Sequence, residues 1–220
     1  MKEILCFGDS NTHGYIPCTG KRYPRALRWC GRLEKLLGEG YHLVEEGMDG
    51  RTTAFEDPLQ PWRSALGYIV GCVRSHAPLD LIIIMLGTND AKTRYRVSAE
   101  EIGMGMRALV EQIETFFRYN PQRYGPCPKI LIVSPVPMPS TGGDPEFNEE
   151  SVQKQAALKE IYRQIAAEMG CGFAAAEEWI GPELLGADRC HFSERAHEIF
   201  AEKIAEIVRR MLDAGEKTAE

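Results

Sequence analysis

The sequence alternates short apolar runs with segments of helical period, and this alternation limits the folds open to it. Five runs have strand character, and each ends in a polar or glycine-containing loop; they span 2–7, 41–46, 79–86, 129–134 and 171–175. The third run is almost entirely apolar, which is typical of a central parallel strand covered on both faces. The order predicts an α/β fold, a three-layer α/β/α sandwich around a five-stranded parallel sheet. We predict the flavodoxin-like strand order 2-1-3-4-5.

The segments between the strands predict the helices. Ser98 and Glu101 have capping-box spacing ahead of a long amphipathic helix, and Ser64 is predicted to cap a shorter one. The remaining helices are predicted at 25–37, at 151–169 and from near Ser193 to a stop at Gly215, with the last five residues frayed.

Length and charge exclude several classes of protein. The 220 residues contain no repeat or linker, so they predict a single domain over 1–220. A net charge of −6 without a basic stripe argues against binding of nucleic acid. A mean hydropathy of −0.29 and the lack of an apolar run of ~18 to 20 residues predict a soluble chain that does not span a membrane.

The cysteines and the N-terminal segment predict the compartment. The chain has seven cysteines, an odd number, and no C-x-x-C pair. Its start lacks a basic segment followed by an apolar one, so no secretory signal is predicted. Both features favour the reducing cytoplasm.

The carboxyl ends of parallel strands are where such sheets place their functional residues. Gly8-Asp9-Ser10 follows the first strand. A serine at a strand-to-helix turn presents its hydroxyl at this edge, with its amide near a helix N-terminus, which suits a nucleophile. The alternative is that Ser10 only caps a helix.

Two more loops at this edge offer hydrogen-bond donors. Gly50 follows the second strand and can present its N–H to a substrate oxygen, or it can serve only to make a turn. Asn89, in Gly87-Thr88-Asn89-Asp90, follows the third strand. Its amide can complete an oxyanion hole, or it can stabilise a turn.

A base and its carboxylate partner are predicted just before the last helix. Asp188 and His191 are three residues apart in a short loop, so the carboxylate can reach Nδ1 and leave Nε2 for Ser10. The other histidines lie in a strand, after or within a helix, or without a carboxylate at a comparable offset. A surface histidine in a loop is the alternative for His191.

These motifs together resemble a known family. Gly8-Asp9-Ser10, Gly50, Gly87-Thr88-Asn89-Asp90 and Asp188-x-x-His191 look like the four blocks of the SGNH hydrolases, also called the GDSL esterase/lipase family. The likeness extends from residue 4 to about residue 212. The segments 4–17, 45–53 and 84–92 are most similar to the small aryl-esterase/acyltransferase branch.

The resemblance implies Ser10 as nucleophile, Asp188 and His191 as its triad partners, and an oxyanion hole made by the amides of Ser10 and Gly50 and the side chain of Asn89. The chain departs from the branch where larger apolar groups follow the serine, since Asn11, His13 and Tyr15 stand there. We expect these three to contact substrate. The loop 139–144 is short and polar, so a wetter entrance is expected.

Other motifs are better explained structurally. Gly103-x-Gly105-x-x-Ala108 lies in a predicted helix, so it has no free amides for a dinucleotide, and Ser151-x-x-Lys154 fits a helix N-terminus. G-x-S-x-G and H-E-x-x-H are absent, and no histidines have metal-ligand spacing. We therefore expect neither a metal nor another cofactor in catalysis.

The sequence thus predicts a serine esterase for small, acetyl-type esters, with acyl transfer as a side activity. The alternatives are a carbohydrate O-acetylesterase and a flavodoxin-like domain that binds a ligand without turnover. The resemblance implies a homo-oligomer, and the apolar side chains expected at its interface are Pro17, Tyr23, Trp62 and Trp179.

Overall fold

The computed structural model describes residues 1–141 and 143–213. Its main sheet contains β1 (Lys2–Gly8), β4 (Tyr41–Gly47), β5 (Leu81–Met85), β6 (Lys129–Ser134) and β7 (Gly172–Ala175). All pairings are parallel and the order is β4-β1-β5-β6-β7, which confirms the predicted 2-1-3-4-5 arrangement. A two-stranded antiparallel hairpin, β2 (Tyr15–Ile16) and β3 (Lys21–Arg22), was not predicted.

Helices cover both faces of this sheet. The longer helices are α2 (Trp29–Leu37), α3 (Ile69–His76), α4 (Ala99–Tyr119), α6 (Glu149–Met169) and α7 (Glu194–Asp213), and the short ones are α1 (Ser10–His13) and α5 (Pro121–Tyr124). Alternate side chains of β1 enter two cores: Ile4 packs with α2 and α7, and Leu5 packs with α3, α4 and α6. The three predicted layers are therefore present.

Two helix starts differ from the prediction. Residues 25–28 are not helical, because the N–H groups of Leu27 and Arg28 both donate to the carbonyl of Pro24 in a turn that precedes α2. The prediction that Ser64 caps a helix is wrong: Ser64 forms a β-bridge with Thr52, and α3 begins only at Ile69.

The other helix predictions hold. Ser98 and Glu101 form the capping box of α4. Ser151 lies in the first turn of α6, where Asn148 is the N-cap, and the Gly103 motif is helical. The predicted stop at Gly215 and the frayed end lie outside the described residues. No described helix is long and apolar enough to cross a membrane.

Candidate active site

The turn after β1 carries Ser10 as the first residue of α1. Asp9, not Ser10, is the N-cap, since its carboxylate accepts from the N–H of Asn11 at 3.0 Å. The alternative in which Ser10 caps the helix is thus wrong. The Ser10 hydroxyl does not cap the helix, and its oxygen lies 2.9 Å from His191 Nε2.

Asp188 orients His191 from the loop before α7. His191 Nδ1 is 2.9 Å from Asp188 Oδ2, and Asp188 Oδ1 accepts from the N–H groups of Cys190 and His191 at 3.1 and 3.0 Å. Burial raises the pKa of Asp188, but the hydrogen bonds from the His191 ring and from the two backbone N–H groups outweigh it and hold the pKa at about 2. Ser10, His191 and Asp188 therefore form one hydrogen-bonded chain.

Three side chains after the serine were expected to contact substrate. Asn11 is buried, donating to the carbonyl of Cys190 at 3.3 Å and accepting from the N–H of Phe192 at 2.9 Å. Tyr15 packs on His191 with ring centroids 4.5 Å apart. His13 is half-buried at the end of α1. Asn11 and Tyr15 thus contact the loop that carries His191, and contact of any of the three with substrate stays a prediction.

The loop after β4 lies beside the serine turn, because the N–H of Met48 donates to the carbonyl of Gly8 at 3.1 Å. Gly50 adopts a φ of 73°, a left-handed conformation that favours glycine. A Cβ there would also collide with the guanidinium of Arg63. In the part of the chain that the structure describes, the N–H groups of Ser10 and Gly50 have no protein acceptor. Both can donate to a bound oxyanion.

Asn89 completes this group of donors. It is buried after β5, and its Nδ2 donates to the carbonyl of Arg51 at 3.2 Å, which ties it to the Gly50 loop. An amide has two N–H donors, so the second is available to a ligand.

A pair that the sequence analysis did not assign supports this loop. Asp90 is fully buried and accepts from both the N–H and the hydroxyl of Thr53, at 2.8 and 2.5 Å. Burial raises the pKa of Asp90 to about 6, although the Thr53 hydrogen bonds lower it. The sequence signal that could have indicated this pair is Asp90 itself, the acidic residue at the end of Gly87-Thr88-Asn89-Asp90.

Charged and polar groups surround this edge. Arg189, next to Asp188 in the sequence, donates to the Ser140 hydroxyl at 3.0 Å, so the loop after β6 borders the loop that carries Asp188 and His191. Lys92 Nζ lies 2.7 Å from a Glu146 oxygen. These contacts agree with the polar entrance expected from the sequence.

The geometry has the parts that acyl transfer needs: a hydroxyl, an oriented imidazole, and N–H donors nearby. Residues 6–199 match the GDSL-like lipase/acylhydrolase family. The chain belongs to this family. No curated protein sequence matches the chain.

Solved structures of esterases resemble this GDSL-family chain closely. An aryl esterase from M. smegmatis is 37% identical with a TM-score of 0.89, covering 96% of this chain and 100% of that chain. A carbohydrate acetylesterase from Sinorhizobium meliloti is 36% identical with a TM-score of 0.89 and the same coverage. A second S. meliloti carbohydrate acetylesterase family member is 32% identical with a TM-score of 0.85, covering 97% and 100%. The predicted family and α/β fold are confirmed, and the chain is a serine-type carboxylic ester hydrolase.

Proposed function

We propose that the chain cleaves acetyl-type esters of small alcohols through an acyl-enzyme formed on Ser10. The observation that carries the proposal is the hydrogen-bonded chain from Ser10 through His191 to Asp188 at the functional edge of the sheet. The short acyl group is supported by the relatives, two of which are acetylesterases by name.

The proposed reaction has two halves. Ser10 Oγ attacks the ester carbonyl while His191 Nε2 takes its proton, and Asp188 stabilises the imidazolium through Nδ1. The N–H groups of Ser10 and Gly50 and the amide of Asn89 donate to the oxyanion. His191 returns the proton to the leaving alcohol, and a water activated by the same base then releases the acid. An alcohol in place of that water gives the proposed acyltransferase side activity.

Replacing the nucleophile tests this mechanism. Ser10→Ala should lower kcat on a chromogenic acetate ester by a factor on the order of 10⁶ and abolish labelling by a fluorophosphonate, with an unchanged circular dichroism spectrum. The exposed Ser75→Ala variant serves as the matched control and should behave like the wild type. Wild-type protein that neither turns over esters nor is labelled would favour the non-catalytic binding domain.

A carbohydrate O-acetylesterase is the second candidate. It is supported by the polar entrance and by the similarity to the S. meliloti carbohydrate acetylesterase. Acetate release from acetylated sugars, compared with aryl acetates of the same concentration, separates the two. A kcat/KM that is higher for the sugars identifies a carbohydrate substrate.

We also propose a homo-oligomer. Of the four side chains expected at an interface, Trp62 is 81% exposed, and Leu59 in the same loop is 82% exposed. Trp179 instead packs against Phe200 in the core, Pro17 packs against Gly186, and Tyr23 packs edge-on against the ring of His197. Light scattering should give a mass above 24.7 kDa that falls in Trp62→Ser. A wild-type mass near that of one chain would contradict an oligomer.

A single domain and a cytoplasmic location complete the proposal. The family match over 6–199 supports one domain, and limited proteolysis should leave one large core fragment.

Seven unpaired cysteines support a reducing compartment. Fractionation of the source cells tests this, since recovery outside the cytoplasm would contradict it.

A further inference from the structure

Three side chains with metal-ligating atoms meet beside the catalytic edge, outside the residues assigned above. Glu46 lies near the end of β4, and Cys72 and His76 lie four residues apart on one face of α3. A Glu46 carboxylate oxygen, Cys72 Sγ and a His76 ring nitrogen all lie within 4.8 Å of one another. Among the described residues, no other group of three such side chains comes this close.

We propose that Glu46, Cys72 and His76 bind a single divalent cation of the zinc type. A set of one thiolate, one imidazole and one carboxylate suits a borderline ion such as Zn²⁺, whereas Ca²⁺ and Mg²⁺ prefer oxygen ligands only. Ligand bonds of about 2.0 to 2.3 Å place tetrahedral ligands about 3.5 Å apart. His76 Nε2 and Glu46 Oε1 are already 3.0 Å apart, so small side-chain rotations would bring all three ligand atoms to bonding distance of one cation.

The surroundings provide an entry path and an orienting hydrogen bond. Glu46 and Tyr68 line a cleft of about 730 Å³, so a cation and a water as fourth ligand can reach the group from solvent. The Tyr68 hydroxyl donates to Glu46 Oε2 at 3.2 Å. Such a bond to a ligating carboxylate fixes its direction, as outer-shell partners commonly do in metal sites.

Burial and charge determine how tightly this group can bind a cation. Cys72 is 1% exposed, and burial raises the pKa of its thiol to about 12, so coordination must release the thiol proton to solvent. The guanidinium of Arg51 lies nearby, 4.3 Å from the centre of the Phe7 ring, and donates to backbone carbonyls of Gly8 and Glu46. Its positive charge opposes a cation, so binding should be reversible by a chelator.

Cobalt is the probe for this site, because Co²⁺ takes the same ligands as Zn²⁺ and has a visible spectrum. Titration of chelator-treated protein with CoCl₂ should produce a thiolate-to-cobalt charge-transfer band and the visible bands of a tetrahedral ion, saturating at one equivalent. Zn²⁺ should displace both. Cys72→Ser should lose the charge-transfer band, and His76→Gln and Glu46→Gln should lose the saturable visible bands.

Matched controls separate this site from adventitious binding. His42 is also paired with a glutamate, Glu3, at 2.7 Å, so His42→Gln should leave the spectrum unchanged. A variant with serine at the exposed Cys18 and Cys127 should also keep it. A wild-type protein without the bands, a charge-transfer band that persists in Cys72→Ser, or saturable visible bands that persist in His76→Gln would overturn the proposal. If Cys72→Ser does not fold, His76→Gln decides, since its side chain is only partly buried.

Discussion

The carboxamide of Asn11 bonds to the peptide groups on either side of His191. Nδ2 donates to the carbonyl of Cys190 at 3.3 Å, and Oδ1 accepts from the N–H of Phe192 at 2.9 Å. Asn11 directly follows Ser10 in α1, so one buried side chain fixes His191 relative to Ser10. This arrangement indicates that Asn11 is a positioning residue.

Asn11→Ala should therefore lower kcat more than it changes KM. A displacement of the imidazole by about 1 Å can cost on the order of 10²-fold in rate. Asn11→Asp keeps the acceptor for Phe192 but cannot donate to Cys190, so its loss should be smaller. Steady-state kinetics with thermal melting provides the measurement. A raised KM with unchanged kcat would instead favour the predicted contact with substrate.

Asn89→Ala should lower kcat by about 10²- to 10³-fold, or about 3 to 4 kcal/mol, because it removes one proposed oxyanion donor. Its hydrogen bond to the Arg51 carbonyl predicts some loss of stability as well. Asn120→Ala is the control: Asn120 donates to the Phe116 carbonyl at the end of α4, so it should affect melting and not kcat. If Asn89→Ala changed melting alone, its role would be structural.

The sheet order and the motifs at its edge could be predicted because they depend on local sequence. Five apolar runs and their spacing specify the strands, and parallel strands bring their following loops together. The contact between Asp188 and His191 needs only three residues of separation, which the sequence displays directly.

Contacts between distant segments that no sequence motif marks could not be predicted in this way. Asn11 and Phe192 are 181 positions apart, and nothing near Asn11 indicates which backbone groups its amide will meet. The metal-ligating group was missed because Glu46 comes from a strand and Cys72 and His76 from a helix. Serine is a residue type that commonly caps helices, but the pairing of Ser64 with Thr52 determines its conformation.

The value of kcat/KM should rise with pH, because only a neutral imidazole can accept the proton of Ser10. Asp188, with its pKa lowered to about 2, stays ionised throughout this rise and contributes no second step. Asp188→Asn should lower kcat by about 10⁴-fold, since an amide cannot hold the required tautomer. A kcat/KM profile that is flat between about pH 5 and 9 would contradict a histidine base.

Asp9 should make the protein less stable as pH rises. Burial raises its pKa from 3.8 to about 6, although the N–H of Asn11 lowers it. The folded state therefore keeps a proton that the unfolded chain loses, and the free energy of unfolding falls between about pH 4 and 6. At about 1.4 kcal/mol per pKa unit, this amounts to about 3 kcal/mol.

Asp9→Asn should remove this dependence, because its amide oxygen can still accept from Asn11 and carries no charge. Relative to wild type, the variant should gain about 3 kcal/mol in unfolding free energy between about pH 4 and 7, measured by urea denaturation at each pH. Glu111→Gln, at an exposed position of α4, is the control and should show no such trend. A difference between Asp9→Asn and wild type that stays constant over this range would mean that the Asp9 carboxyl is ionised at no cost, and that α1 begins on a charged cap.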